Sequence, residues 1–155
     1  MDIINKIKKA GLVGRGGACF SVAKKWQMVK RAKGEKKYIV CNGSEGEPGV
    51  DKDGYIIKNY PERLVDGVIL ALDYLDADKA YIYLNETYYK KYDKILKIII
   101  KNKPIVIFKK PHEGGYVGGT ETSVINVLEG KRIEPRLRPP FPTTCGLWGC
   151  PTLVN

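Results

Sequence analysis

The sequence predicts an α/β domain: a mainly parallel sheet flanked by helices, Rossmann-like in its layering. Three observations predict it. Short apolar runs rich in β-branched and aromatic residues occur at Lys37-Tyr-Ile-Val-Cys41, Ala80-Tyr-Ile-Tyr-Leu84 and Pro104-Ile-Val-Ile-Phe108, and read as strands. Segments with helical periodicity separate them, which is the crossover that parallel strands require. The length of 155 residues with 43% apolar side chains suits one domain with its own core, spanning 1–155.

Each element follows from local pattern. Ile3, Ile4 and Ile7 recur at helical spacing, so 2–10 reads as a short helix ended by Gly11. A glycine-rich loop, Gly14-Arg-Gly-Gly-Ala-Cys19, precedes a helix over 21–32 with Ser21 as N-cap. The strand at 37–41 stops at Asn42-Gly-Ser-Glu-Gly-Glu-Pro-Gly49, read as loop. Pro61 starts a helix whose stripe is Leu64, Val65, Val68, Leu72 and Leu75. The helix over 86–101 turns Tyr88, Tyr92, Ile95, Leu96 and Ile99 inward. After the third strand, Glu113-Gly-Gly-Tyr-Val-Gly-Gly119 leads into a helix near 121–129 ended by Gly130. The tail 133–155 is rich in Pro and Gly and has no predicted element.

The net charge is +10. Its lysines are dispersed among Ile and Tyr rather than blocked, and no nucleic-acid motif accompanies them, so the charge points to an acidic partner or an anionic ligand. The four cysteines lack the paired spacing of a zinc or iron–sulfur site, and a reduced, cytoplasmic protein is the simplest reading. No run approaches the roughly 18 apolar residues of a membrane span. The N-terminus lacks the apolar core of a signal peptide.

Four loops carry chemistry. Around Gly14, Arg15, Gly16 and Gly17, backbone N–H groups can approach a phosphate, the next helix presents its positive end, and Lys25 adds a full charge. The loop departs from the dinucleotide fingerprint, because it follows a helix and has Cys19 at the sixth position. A plain helix–helix turn is the alternative. Asn42, Ser44, Glu45 and Glu47 crowd a strand end, where acidic groups need donors; an acidic surface turn is the alternative. In open α/β sheets, ligands sit beyond such strand ends. The third loop, Tyr116 to Glu121 with glycines at 118 and 119, opens a helix or is a simple turn and N-cap. The fourth, Pro139-Pro-Phe-Pro142, presents Phe141 for stacking or merely packs over the core.

These loops, in order, resemble the family of flavin-binding subunits of respiratory complex I, also found in NAD-linked hydrogenases and formate dehydrogenases. The resemblance runs from Gly11 to Asn155. It rests on Gly14-Arg-Gly-Gly-Ala with Phe20, Lys25-Trp26, Cys41-Asn42 and Glu45-Gly-Glu-Pro-Gly49. It continues through Tyr116, Gly119, Glu121 and Thr122, then Leu128-Glu-Gly-Lys-Arg132, Glu134-Pro-Arg-Leu137 and Pro139-Pro-Phe-Pro142. Gly146-Leu-Trp-Gly-Cys-Pro-Thr152 and Val154-Asn155 complete it.

The resemblance implies an FMN-binding domain that oxidises NADH and passes electrons to an iron–sulfur partner, a thioredoxin-like two-iron subunit. The cluster itself is not on this chain. It implies that Gly14, Arg15, Gly16, Gly17, Lys25, Asn42, Ser44, Glu45, Gly119, Thr120, Val154 and Asn155 hold FMN, with Lys25 near the phosphate. Phe20, Glu47, Tyr116, Glu121, Arg138 and Phe141 would line the NADH pocket, Glu47 being the side chain placed to influence the flavin. The family's ubiquitin-like and iron–sulfur domains are not in this sequence. Cys19, Ser44 and Thr120 stand where the family has Gly, Asp and Glu. These departures leave a second reading, a structural subunit of a redox complex that has lost tight FMN binding. Either role is compatible with peripheral docking on a membrane complex.

Overall fold

The parallel sheet has four strands, with β1 (Tyr38–Gly43), β2 (Lys79–Leu84), β3 (Ile105–Lys109) and β4 (Thr152–Val154) in the order β3-β2-β1-β4. The computed structural model describes residues 2–155. Every strand pair is parallel. Tyr38 faces Lys79 on one side and Thr152 on the other, and the β1–β2 ladder runs on to Gly43 opposite Leu84.

Six helices accompany the sheet: α1 (Ile3–Lys9), α2 (Val22–Arg31), α3 (Lys52–Asn59), α4 (Pro61–Leu75), α5 (Glu86–Ile100) and α6 (Glu121–Leu128). Helices α1 to α5 pack on one face, around Ile39, Ala80, Ile82, Leu84, Ile105 and Leu153. Helix α6 and the tail cover the other face, over Tyr38, Val40, Tyr81, Tyr83 and Val154. Alternate residues of each strand therefore feed two separate cores, which is why the strands read as unbroken apolar runs.

This division locates a ligand crevice. The connections β1-α4-β2 and β2-α5-β3 stay on one face, whereas the path from β3 to β4 crosses to the other through α6. The strand order therefore reverses between β1 and β4, and a topological switch point opens beyond their carboxyl ends.

The expected helices form for the expected reasons. The Ser21 hydroxyl accepts from the Lys24 N–H at 3.4 Å, and α2 buries Val22, Ala23, Trp26 and Val29 on one stripe. Pro61 occupies the first turn of α4. Asn85 caps α5, its side-chain oxygen accepting from the Tyr88 N–H at 2.8 Å.

Four expectations need correction. Asn42 and Gly43 belong to β1, because the β2 ladder carries them as partners of Tyr83 and Leu84. Helix α3 lies within a stretch without a predicted element. The tail contributes β4, whose three residues pair with Tyr38, Ile39 and Val40. Ile95 is exposed, since the inward stripe of α5 passes through Tyr92, Leu96, Ile99 and Ile100.

Candidate flavin site at the strand switch point

The glycine loop is a closed protrusion. Val13 and Ser21 form an antiparallel bridge at its base, and the Gly14 N–H donates to the Phe20 carbonyl at 2.9 Å. Gly17 has φ +96° and Cys19 φ +50°, so Cys19 adopts a left-handed conformation that glycine takes more cheaply. The Cys19 side chain is exposed, and a Cβ built at Gly16 or Gly17 meets nothing within 4 Å. The loop therefore leaves open space beside its backbone, and the thiol does not close it.

Helix α2 carries Lys25 from this loop to the switch point. The Lys25 ammonium donates to the Val154 carbonyl at 2.9 Å and to Glu121 Oε1 at 2.9 Å. The other oxygen of Glu121 lies 3.3 Å from Arg138 Nη1. One carboxylate is thus bracketed by two cations, leaving a net positive charge at the mouth. The Lys25 ammonium also sits 5.8 Å from the centroid of the Phe20 ring.

Asn42 and Asn155 complete the crevice. The Asn42 N–H donates to the Asn155 carbonyl at 2.7 Å, and the Asn155 N–H to the Val40 carbonyl at 2.9 Å. The Asn42 side-chain amide donates to the Gly119 carbonyl at 2.8 Å. Gly119 ends the 3-10 turn before α6, and a Cβ there would collide with the hydroxyl of buried Ser44. Thr120, at the N-cap position of α6, donates to the Val117 carbonyl at 2.9 Å, and its hydroxyl oxygen lies 2.8 Å from the Ser123 hydroxyl, from which it can accept.

The acidic turn is more occupied than its composition suggests. Glu45, at φ +27°, turns its carboxylate into the start of α3 and accepts from the Asp53 and Gly54 N–H groups at 2.9–3.2 Å. The Tyr88 hydroxyl donates to the same carboxylate at 2.6 Å. Glu45 therefore supplies the cap that Asp51 does not. Burial pushes the Glu45 carboxyl up, but the Tyr88 hydroxyl and the two amides outweigh it and hold it below its ordinary 4.5. Burial raises the Tyr88 phenol, and the adjoining Glu45 and Asp51 raise it further.

Acid stability depends on this carboxylate. The depressed folded pKa of Glu45 contributes stability that is present above the unfolded value and is lost as pH falls through the folded one. Glu45→Gln should cost about 1 kcal/mol at neutral pH, the value of a helix cap. It should also flatten the acid limb, so that urea-unfolding midpoints of wild type and variant converge as pH falls through the depressed folded pKa of Glu45.

Ser44 is buried, and its carbonyl accepts from the Asn85 side chain at 3.2 Å. Glu47 remains exposed, with the Tyr116 hydroxyl 3.5 Å from its carboxylate, the outer limit of a hydrogen bond. Phe20, Tyr116 and Phe141 are each about half exposed, at 45%, 58% and 50%. Lys25, Asn42, Glu121, Arg138, Val154 and Asn155 are joined through side-chain and backbone contacts. Ser44 and Glu45 are tied into the scaffold instead. Sequence reasoning missed Tyr88 as the donor that fixes Glu45, since its placement on the inward stripe of α5 says only that it packs.

The comparisons with known proteins fit this geometry. The sequence profile of the Nuo51 FMN-binding domain matches residues 7–155. This chain belongs to that family. The F subunit of NADH-quinone oxidoreductase in Buchnera aphidicola subsp. Acyrthosiphon pisum is 40% identical over 172 residues, covering 99% of this chain. Its counterpart in Escherichia coli K12 is 37% identical over 169 residues, again over 99% of this chain. This chain spans 38% of the length of either relative. A chain in the crystal structure of an NAD+-reducing [NiFe]-hydrogenase in the H2-reduced state superposes with a TM-score of 0.88 at 38% identity, over 98% of this chain and 28% of that one. In this Nuo51-type domain the parallel sheet sets the ends of β1 and β4 beside the helix that follows the glycine loop. No helix among its described residues is long and apolar enough to cross a membrane.

Proposed function

We propose that this Nuo51-type domain binds FMN at the β1–β4 switch point, oxidises NADH there and delivers electrons to an iron–sulfur partner subunit. The observation that carries the reading is the meeting of the Lys25 ammonium, on the helix that follows the glycine loop, with the ends of β1 and β4. The residues fit the cofactor. Open backbone at Gly16 and Gly17 suits a phosphate, and Lys25 with Arg138 outweighs the single Glu121 beside it.

Bound FMN supplies a two-electron hydride acceptor that can release electrons singly. The chain's own residues bind, orient and screen. Asn42, Val154 and Asn155 present amide groups and carbonyls along the crevice, and Gly119 with Thr120 forms its opposite lip. Phe20, Tyr116 and Phe141 offer stacking surfaces for the dinucleotide, and Glu121 with Arg138 sets the charge at its entry. Glu47, reached by the Tyr116 hydroxyl, is the carboxylate free to tune the field at the ring. Similarity to an oxidoreductase subunit and to a chain of a multi-subunit hydrogenase supports a role within a larger assembly. The corresponding partner here is a thioredoxin-like two-iron subunit, with the domain cytoplasmic and docked peripherally on a redox complex.

The test is anaerobic reduction. FMN-loaded protein should lose its yellow colour on addition of NADH, and Gly16→Ala should weaken FMN at unchanged stability. No Cβ neighbour lies within 4 Å of Gly16, and its φ is not positive, so the fold tolerates the methyl within about 0.5 kcal/mol while the ligand does not. Protein that binds FMN but stays yellow under excess NADH would contradict the dehydrogenase role, leaving a structural flavodomain. Protein that ignores FMN would favour the structural-subunit reading.

A further inference from the structure

A second pocket, about 320 Å³, opens at the carboxyl ends of β2 and β3, on the side of the acidic turn away from β4. Asn85, Glu86 and Thr87 at the start of the 15-residue helix α5 form one wall. Lys110, His112 and Tyr116 form the other. Lys110 is only 7% exposed. Its stem lies against Gly114 and Gly118, where an added Cβ would come within 3.5 Å of it. Its ammonium donates to the Gly115 carbonyl at 2.8 Å and has no carboxylate within ion-pair distance among the described residues.

The remaining charges lean the same way. Glu86 is the single carboxylate lining the pocket, and two lysines already neutralise it, Lys90 at 3.1 Å and Lys109 at 3.8 Å, with the His112 ring nitrogen 3.2 Å away. Burying an ammonium with one neutral acceptor is costly unless an anion joins it. Burial accordingly pushes the Lys110 amine below its ordinary pKa.

We propose that this pocket is an oxyanion site, in which the Lys110 ammonium and the Thr87 hydroxyl grip a phosphate-sized group. The anion arrives either as a free ion or as the phosphate of a nucleotide that also touches Tyr116. The site lies beside the proposed dinucleotide pocket and does not depend on flavin binding.

The experiment follows the 13Cε resonance of Lys110 against pH by NMR, with and without saturating inorganic phosphate, NADH or phosphate-free nicotinamide riboside. An opposing charge favours the ammonium, so the midpoint should rise by about one unit, a tenfold stabilisation of the charged form. A rise with inorganic phosphate assigns a free anion. A rise with NADH alone assigns a nucleotide phosphate. No rise with either, or an equal rise with nicotinamide riboside, overturns the site. Lys110→Met identifies the resonance and should weaken, in calorimetry, binding of whichever ligand raised the midpoint. Thr87→Val, at an exposed position, should weaken the same binding several-fold without disturbing the fold, and that binding unchanged in both variants would also overturn the proposal.

Discussion

Lys25→Ala should weaken FMN by roughly tenfold to a hundredfold while changing riboflavin affinity by less than about threefold. A hydrogen bond to a charged group is worth about 1.5–3 kcal/mol, and only FMN carries the phosphate that Lys25 would meet. The variant also frees Glu121 from one of its two cations, turning the mouth of the crevice from net positive to neutral. That change acts against a dianion and leaves an uncharged ribityl chain indifferent. The stability cost should be about 1 kcal/mol or less, because the ion pair is partly exposed to solvent. Flavin fluorescence quenching with both ligands separates the outcomes. Equal loss for FMN and riboflavin would show that Lys25 acts through Val154 and the packing of β4, not through a phosphate.

Gly146→Ala should be among the most destabilising single methyl additions in the chain, at about 2–3 kcal/mol. A Cβ at Gly146 runs into both the Cβ and the hydroxyl of Thr152 and comes within 2.9 Å of the Pro142 carbonyl. None of these neighbours can yield. The Thr152 hydroxyl accepts from the Leu147 N–H at 2.8 Å, and the Thr152 N–H donates to the Pro142 carbonyl at 2.8 Å. The Gly146 carbonyl also accepts from Arg136 at 3.1 Å. Thr152 opens β4, so displacing it shifts the Val154 carbonyl that Lys25 grips. Urea unfolding should show a lower midpoint with the slope unchanged, and FMN affinity should fall in parallel. Full stability in this variant would contradict the close packing of the tail against β4.

How much of this was legible in the sequence differs by element. β2, α4 and α5 carry their own signals, because burial on both faces of a central strand and a single stripe on a helix leave period-specific patterns; the edge strand β3 shows through its run of β-branched residues. Helix α3 carries none. Lys52-Asp-Gly-Tyr-Ile-Ile-Lys-Asn59 contains a glycine, and its N-terminal amides are satisfied by Glu45 and not by a neighbouring residue. A helix held from outside its own segment is invisible to local reasoning. Strand β4 is three residues long in a Pro- and Gly-rich tail, too short for alternation, and exists because β1 offers it an edge.

The site divides similarly. Lys25, Asn42 and the glycine loop stand out in the sequence by residue type and spacing, and the structure brings Lys25 and Asn42 to the ends of β4 and β1. The fate of Glu45 was not. Its acidity suggests a ligand contact, and only the long-range approach of Tyr88 and α3 shows that its carboxylate is engaged within the fold. Lys110 was equally silent. Nothing local distinguishes it from Lys109 beside it, yet one is buried and the other exposed.

The most direct measurement is a titration of the purified chain with FMN, followed by quenching of flavin fluorescence. A flavin crevice between β1 and β4 predicts saturable one-to-one binding in the micromolar range or tighter, weaker for riboflavin and partly weakened by added salt. Linear, non-saturating fluorescence up to a large excess of FMN would contradict it.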